Sequence, residues 1–197
     1  MNTVLQVLKA GGTAFVLSMG LSLAAIGQET AQEEETPRTP PTVAELLEQL
    51  ADPDTANWQQ VERQIRTEWS RSGSSAMDFL YQRGEKALEA EKFDEAIEHF
   101  TALTDHAPDF AEGYNGRATA LFQKGLYGPA MADLGRTLEL NPDHFGAMTG
   151  LAVILQSVGM ESEALEVWYL VEAAHPHRPE MHEAIKALEA KVAGQAL

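Results

Sequence analysis

The chain is 197 residues long and 44% apolar, enough for one ordinary domain or a short repeat array with a real core. Thirty acids against fourteen bases leave a formal net charge of -16. That argues against nucleic acid as a partner, because Lys and Arg are what displace the counterions of phosphates, and against docking on an anionic membrane surface. With no cysteine, the chain has no disulfide framework, thiolate chemistry or lipid-acceptor thiol.

The first 27 residues stand apart. MNTVLQVLKA carries Lys9 and no acid, Ala10 to Ile26 is uncharged, and Ala25-Ile26-Gly27 is a small-x-small triplet ahead of an acidic run. This is the layout of a secretory signal peptide, residues 1–27, whose removal would leave the mature chain periplasmic or secreted. The alternative is an uncleaved anchor. A spanning helix wants about 20 strongly apolar residues, and this stretch is diluted by Gly, Ser and Thr. Residues 28–41 are rich in Glu, Thr and Pro and have no aromatic. They cannot bury enough apolar surface to offset their ordering entropy, and read as a disordered acidic linker.

Residues 42–72 read as a helical pair. Thr42-Val43-Ala44-Glu45 has the form of a capping box, and a short helix follows with Leu46, Leu47 and Leu50. After the turn Ala51-Asp52-Pro53-Asp54, Trp58, Val61, Ile65 and Trp69 recur at helical spacing. Their stripe needs a partner, and the pair is expected to act as an N-terminal cap on the array that follows.

From Met77 a 34-residue period begins, with windows at 77–110, 111–144 and 145–178. The eighth position holds Gly84, Ala118 and Ala152; the twentieth, Ala96, Ala130 and Ala164; the twenty-fourth, Phe100, Leu134 and Trp168; the thirty-second, Pro108, Pro142 and Pro176. A fixed period of this size marks a solenoid of short supersecondary units. The small residues let two helices cross closely, the large one fills the space between units, and the Pro ends the second helix. Asp109 and Asp143, just after the Pro, are the expected N-caps of the next helices. Ser75-Ala76-Met77-Asp78 is the expected capping box of the first unit, and Gly125 and Gly159 fall where the paired helices must turn. Met181, Ile185, Leu188 and Val192 form one stripe over residues 179–193, a terminal helix whose wet outer face shields the last unit.

FDEAIEHF, GPAMADLGRTLELNP and SEALEVW resemble the second helix of the tetratricopeptide repeat, and the resemblance spans residues 77–176 as three full units. Arg83 and Arg117 depart from it at a seventh position that is usually apolar, and Glu91 stands where a turn Gly is common. Glu62 and Arg66 fall where Ala and an aromatic would stand, so residues 42–72 do not continue the pattern. The resemblance implies an all-α fold: an α-solenoid of three repeats with an N-terminal helical pair and a C-terminal capping helix. It also implies a concave groove lined by positions two, five, nine and twelve of each unit's first helix. Here these are Asp78, Tyr81, Glu85 and Leu88, then Glu112, Asn115, Thr119 and Phe122, then Gly146, Thr149, Val153 and Gln156. None is Lys or Arg, so the family's clamp for a C-terminal carboxylate is not carried over. The peptide-binding candidates are Asp78, Tyr81, Glu85, Leu88, Asn115, Thr119, Phe122, Thr149 and Val153. The implied partner is a protein or peptide segment, with a basic stretch facing the acidic first unit.

No Gly-rich phosphate loop, Cys/His zinc pattern or nucleophile elbow occurs. His175, His177 and His182 form HPHRPEMH, and an H-x-H pair can bind a divalent metal. Pro176 and Pro179, however, mark it as a repeat boundary, and the spacing matches no established ligand set. The expectation is a non-catalytic scaffold of the cell envelope with no catalytic residue, metal or cofactor. The alternative is a membrane-tethered assembly factor or subunit of an envelope complex; a metal-dependent hydrolase built on the His-rich boundary is the enzyme-class rival.

Overall fold

Residues 40–195, which the computed structural model describes, form nine helices and no strand within a unit that begins at Pro40. In chain order they are α1 (Val43–Ala51), α2 (Trp58–Trp69), α3 (Ser75–Glu89), α4 (Phe93–His106), α5 (Ala111–Gln123), α6 (Tyr127–Leu140), α7 (Phe145–Ser157), α8 (Glu161–Ala174) and α9 (Pro179–Gln195). The expected signal peptide and all of the expected linker except Pro40 and Pro41 fall outside the described residues. Among the described residues no helix is long and apolar enough to cross a membrane.

Helices α3/α4, α5/α6 and α7/α8 are the three 34-residue units, and α9 packs on α8. The columns of small residues lie where the helices cross: Gly84, Ala96, Ala118, Ala130, Ala152 and Ala164 are all buried. Phe100 is fully buried between two glycines of successive units. A Cβ added at Gly84 would stand 2.5 Å from its ring, and one at Gly116 would stand 2.4 Å away. Leu134 covers Gly150 more loosely, its methyl carbons 3.4 Å from where a Cβ would be, an ordinary contact. Trp168 is buried in one cluster with Ala152, Ala164, Met181, Ile185 and Leu188, so α9 closes the last unit. The array is an all-α solenoid.

The turns repeat as well. Gly125 and Gly159 sit at φ of 72° and 80°, the left-handed conformation that glycine adopts without strain. Glu91 takes the same place in the first unit at φ 55°, the one non-glycine residue with positive φ among the described residues. The helix starts differ from expectation. Phe110 and His144, not Asp109 and Asp143, are the N-caps of α5 and α7. The helices begin one residue later because Phe110 N–H and His144 N–H close turns back to the carbonyls of Ala107 and Asn141. The N-cap of α3 is Ser74, without a side-chain cap bond. Asp78 instead accepts from Ser72 N–H (2.8 Å) and Ser72 Oγ (2.6 Å), stapling the loop before the helix.

The capping box at Thr42 and Glu45 forms, but the α1–α2 hairpin does not cap the first unit. Leu46, Leu50, Val61 and Ile65 bury against Phe145, the first residue of α7, with Trp58, Trp69 and Ala174 around them. The stripe finds its partner there because the third unit offers aromatic rings at its boundary. Trp58 stacks on His177 (5.5 Å) and meets His175 edge-on (5.4 Å), and Trp69 stacks on His144 (4.7 Å). Glu62, on the same helix, accepts from His175 Nε2 (3.2 Å) and Arg178 (2.6 Å) and pairs with Arg66 (2.9 Å).

Candidate functional site

The first helices of the three units, α3, α5 and α7, lie side by side. Each presents one face to the concave side of the array. Between α5 and α7 that face opens into a cavity of about 250 Å³. Asn115, Thr119 and Phe122 from α5 line it together with Gly146, Thr149 and Val153 from α7. Five of the nine residues selected from the sequence therefore meet at one place. Gly146 and Gly150, which also borders the cavity, keep α7 low on that side. Its floor is apolar, formed by Ala118, Leu134 and Ile154.

The polar groups at the rim are set by local bonding. Thr119 and Thr149 donate their hydroxyls to the carbonyls four residues back, Asn115 O (3.0 Å) and Phe145 O (2.8 Å), so both hydroxyl protons are satisfied within their own helices. Phe122 leans on Tyr127 at 5.7 Å, which fixes its ring at the mouth. Asn115 is half-buried on the same wall.

The four candidates on α3 do not reach the cavity. Asp78 is engaged by Ser72. Tyr81 packs on Phe100 (6.1 Å) and Phe110 (5.8 Å), and Leu88 packs on the same core cluster. Burial pushes the Tyr81 hydroxyl well above the usual phenol range. Glu85 is half-buried; burial first, then Glu112 and Glu89, push its carboxyl up to about 7. Glu112 is buried and accepts from His144 Nε2 at 3.0 Å. His144 Nδ1 accepts the Ala147 N–H (3.0 Å), so Nε2 carries the ring proton that Glu112 receives. Asp78 and Glu112 are thus engaged inside the fold, and Glu85 is left without a hydrogen-bond partner among the described residues.

Sequence reasoning missed these partners. The Glu112–His144 pair ties α5 to the N-cap of α7 across 32 residues, and Arg66 reaches the Phe145 ring (5.5 Å) from a helix outside the repeat pattern. Arg117, the polar departure at a core position, forms a two-bond pair with Asp133, 2.7 Å at each contact, and donates to Thr104 at 3.0 Å. A legible signal existed for the cavity: Gly150 is a helix-interior glycine of α7, and such residues mark close approach or missing volume. Of the histidines of HPHRPEMH, His175 and His177 pack edge to face on each other (5.8 Å) and against Trp58, while His182 lies beside Glu172 on the exposed side of α9.

A TPR repeat-containing protein of Rhizobium etli is 34% identical to the chain over 148 residues, covering 75% of this chain and 72% of that one. The chain belongs to the tetratricopeptide-repeat family. A model of that repeat matches residues 81–143, from α3 to the last residue before the α7 N-cap. Solved structures agree on the fold. The first repeat domain of Spaghetti (RPAP3), bound to an HSP90 peptide, is 22% identical with a TM-score of 0.58, over 59% of this chain and 93% of that one. The Yersinia enterocolitica type III secretion chaperone SycD, in complex with a peptide of the translocator YopD, is 18% identical with a TM-score of 0.57, over 60% and 95%. Tetratricopeptide-repeat domains are in general protein–protein interaction modules, and this chain has their architecture with no Lys or Arg at the groove positions named above.

Proposed function

We propose that the chain is a non-catalytic adaptor of the cell envelope that holds a segment of another protein in its concave groove. The observation that carries this reading is the cavity between α5 and α7. It is apolar at its floor and flanked by Phe122 and Val153, it lies on the face the family uses for recognition, and its volume suits one or two partner side chains. Apolar burial there supplies the affinity, and the Asn115 amide supplies a hydrogen bond to the partner's backbone. Two relatives by fold were solved with a bound peptide, which supports the same use here. The envelope location rests on the sequence of residues 1–27, and cleavage after Gly27 frees a mature chain beginning at Gln28.

The test is capture from native envelope extract with the chain from Gln28 as bait, followed by binding kinetics on the recovered partner. Phe122→Ala is expected to leave the on-rate unchanged and raise the off-rate about tenfold or more, the equivalent of roughly 1.4 kcal/mol. Arg136→Ala is the matched control, because Arg136 lies on α6 against Tyr114 and Glu139 and away from the cavity. Equal damage from the two variants would move the site to the convex face.

A further inference from the structure

Glu85 is the ionisable group of the groove that the fold leaves unanswered. No hydrogen bond from a described residue reaches its carboxyl. The charged groups that face it are Glu89 on its own helix, Glu112 from α5 and Arg66 from α2. Glu112 is tied to His144 at the start of α7. Arg66 is paired with Glu62 at 2.9 Å and lies over the Phe145 ring, so it offsets the acids only weakly. The groove positions carry no cation of their own, and the whole chain is at -16.

We infer that the groove takes a segment in which an apolar side chain and a lysine or arginine stand about four residues apart, the apolar group filling the α5–α7 cavity and the cation pairing with Glu85. This rests on the groove reading above and adds the chemistry of the partner. Packed helices lie about 8–10 Å apart. The cavity is therefore about one and a half spacings from α3, or about four residues of extended chain at about 3.3 Å each. Charge complementarity selects the cation. A carboxyl held up at about 7 is half protonated at neutral pH, and a cation brought beside it favours the ionised form. Binding then expels the Glu85 proton to solvent, leaving a carboxylate–ammonium or carboxylate–guanidinium pair.

The test uses acetylated, amidated Gly/Ser peptides carrying one Phe and, four residues to either side, Lys, Gln or Glu. Affinity and proton release are read by calorimetry at pH 7 in phosphate and in Tris. The Phe/Lys peptides are expected to bind at least tenfold tighter than the Phe/Glu peptides and to release about half a proton per complex. Glu85→Gln is expected to abolish the proton release and bring the Lys and Gln peptides level while keeping Phe-dependent binding. Glu163→Gln, at the exposed start of α8, should change neither. Val153→Trp, with its fold checked by circular dichroism, should remove binding of every Phe peptide. A Lys preference that survives Glu85→Gln, or no proton release, overturns the inference and leaves the groove reading standing. Binding indifferent to Val153→Trp, or no binding by any peptide, overturns both.

Discussion

Gly116 and Gly135 are both interior to helices, α5 and α6, and their surroundings are opposite. A Cβ on Gly116 would stand 2.4 Å from the fully buried Phe100 ring, whereas one on Gly135 would meet nothing within 4 Å. Alanine is worth up to about 1 kcal/mol over glycine in a helix interior, but overpacking a rigid core costs about 1–3 kcal/mol. The Phe100 ring is walled by Gly84 on its other side and has little room to yield. Gly116→Ala is therefore expected to lower stability by about 1–2 kcal/mol, and Gly135→Ala to raise it by about 0.5–1 kcal/mol. Urea unfolding with an unchanged slope measures both, and stabilisation by Gly116→Ala would mean that Phe100 is not clamped between units. At this scale the sequence was a partial guide. Asn115, Thr119, Phe122, Thr149 and Val153 follow from register alone, because position on a helix face is a local property. Asp78 and Tyr81 occupy the same register and are diverted by Ser72 and Phe110, partners that no periodicity names.

The three helix–turn–helix elements close in one way, and that sameness exposes the odd residue. Behind α3, Lys92 N–H bonds Ala87 O at 2.9 Å; behind α5, Leu126 N–H bonds Leu121 O at 2.9 Å; behind α7, Met160 N–H bonds Leu155 O at 2.9 Å. Each bond needs a left-handed residue just before its donor: Glu91, Gly125 and Gly159 in turn. A side chain with a Cβ is disfavoured there by about 1–2 kcal/mol, of which glycine's greater freedom in the unfolded chain returns a part. Glu91 is exposed, and its side chain makes no hydrogen bond or ion pair among the described residues. Glu91→Gly is expected to stabilise by about 0.5–1 kcal/mol, and Gly125→Glu to destabilise by about 1–2 kcal/mol. Thermal melts of the pair decide it; a loss with Glu91→Gly would show that the Glu91 side chain does something its geometry does not display. Elements were the most legible level in the sequence, since helix periodicity, turn glycines and terminating prolines are all local signals. The caps at Phe110 and His144 were not, because a histidine ring that accepts the Ala147 N–H replaces the expected aspartate without any sequence signature.

A repeat array is close to one-dimensional: each unit touches its neighbours, and stability is a sum of units and interfaces. The α1–α2 hairpin breaks that rule. Glu62 meets Arg178 across 116 residues of sequence, and Leu46, Leu50, Val61 and Ile65 bury on Phe145. The hairpin precedes the first unit in the chain but clasps the third and the boundary with α9. The sequence could not place it, because its stripe specified only that some apolar surface lay opposite, and the receiving rings are spread over His144, Phe145, His175 and His177. The consequence is coupling between the two ends of the chain. Loss of the clasp is expected to loosen α8 and α9 while α3 and α4 keep their protection. Trp58→Ala, which removes the ring stacked on His177, should cost about 2–4 kcal/mol, and hydrogen exchange should locate the loss in α1, α2, α8 and α9. Acid should open the same clasp. His175 first, then Arg178 and Arg66, hold the Glu62 carboxyl down at about 2. A depressed carboxyl stabilises the fold above its ordinary value near 4.5 and loses that contribution as pH falls through the window from about 4.5 to 2. The shift corresponds to roughly 3 kcal/mol. Glu62→Gln should therefore be less stable than the natural chain at pH 7 and approach it near pH 2. Faster exchange confined to α1 and α2 in Trp58→Ala, with α8 and α9 unchanged, would show that the hairpin rides on the array without bracing it.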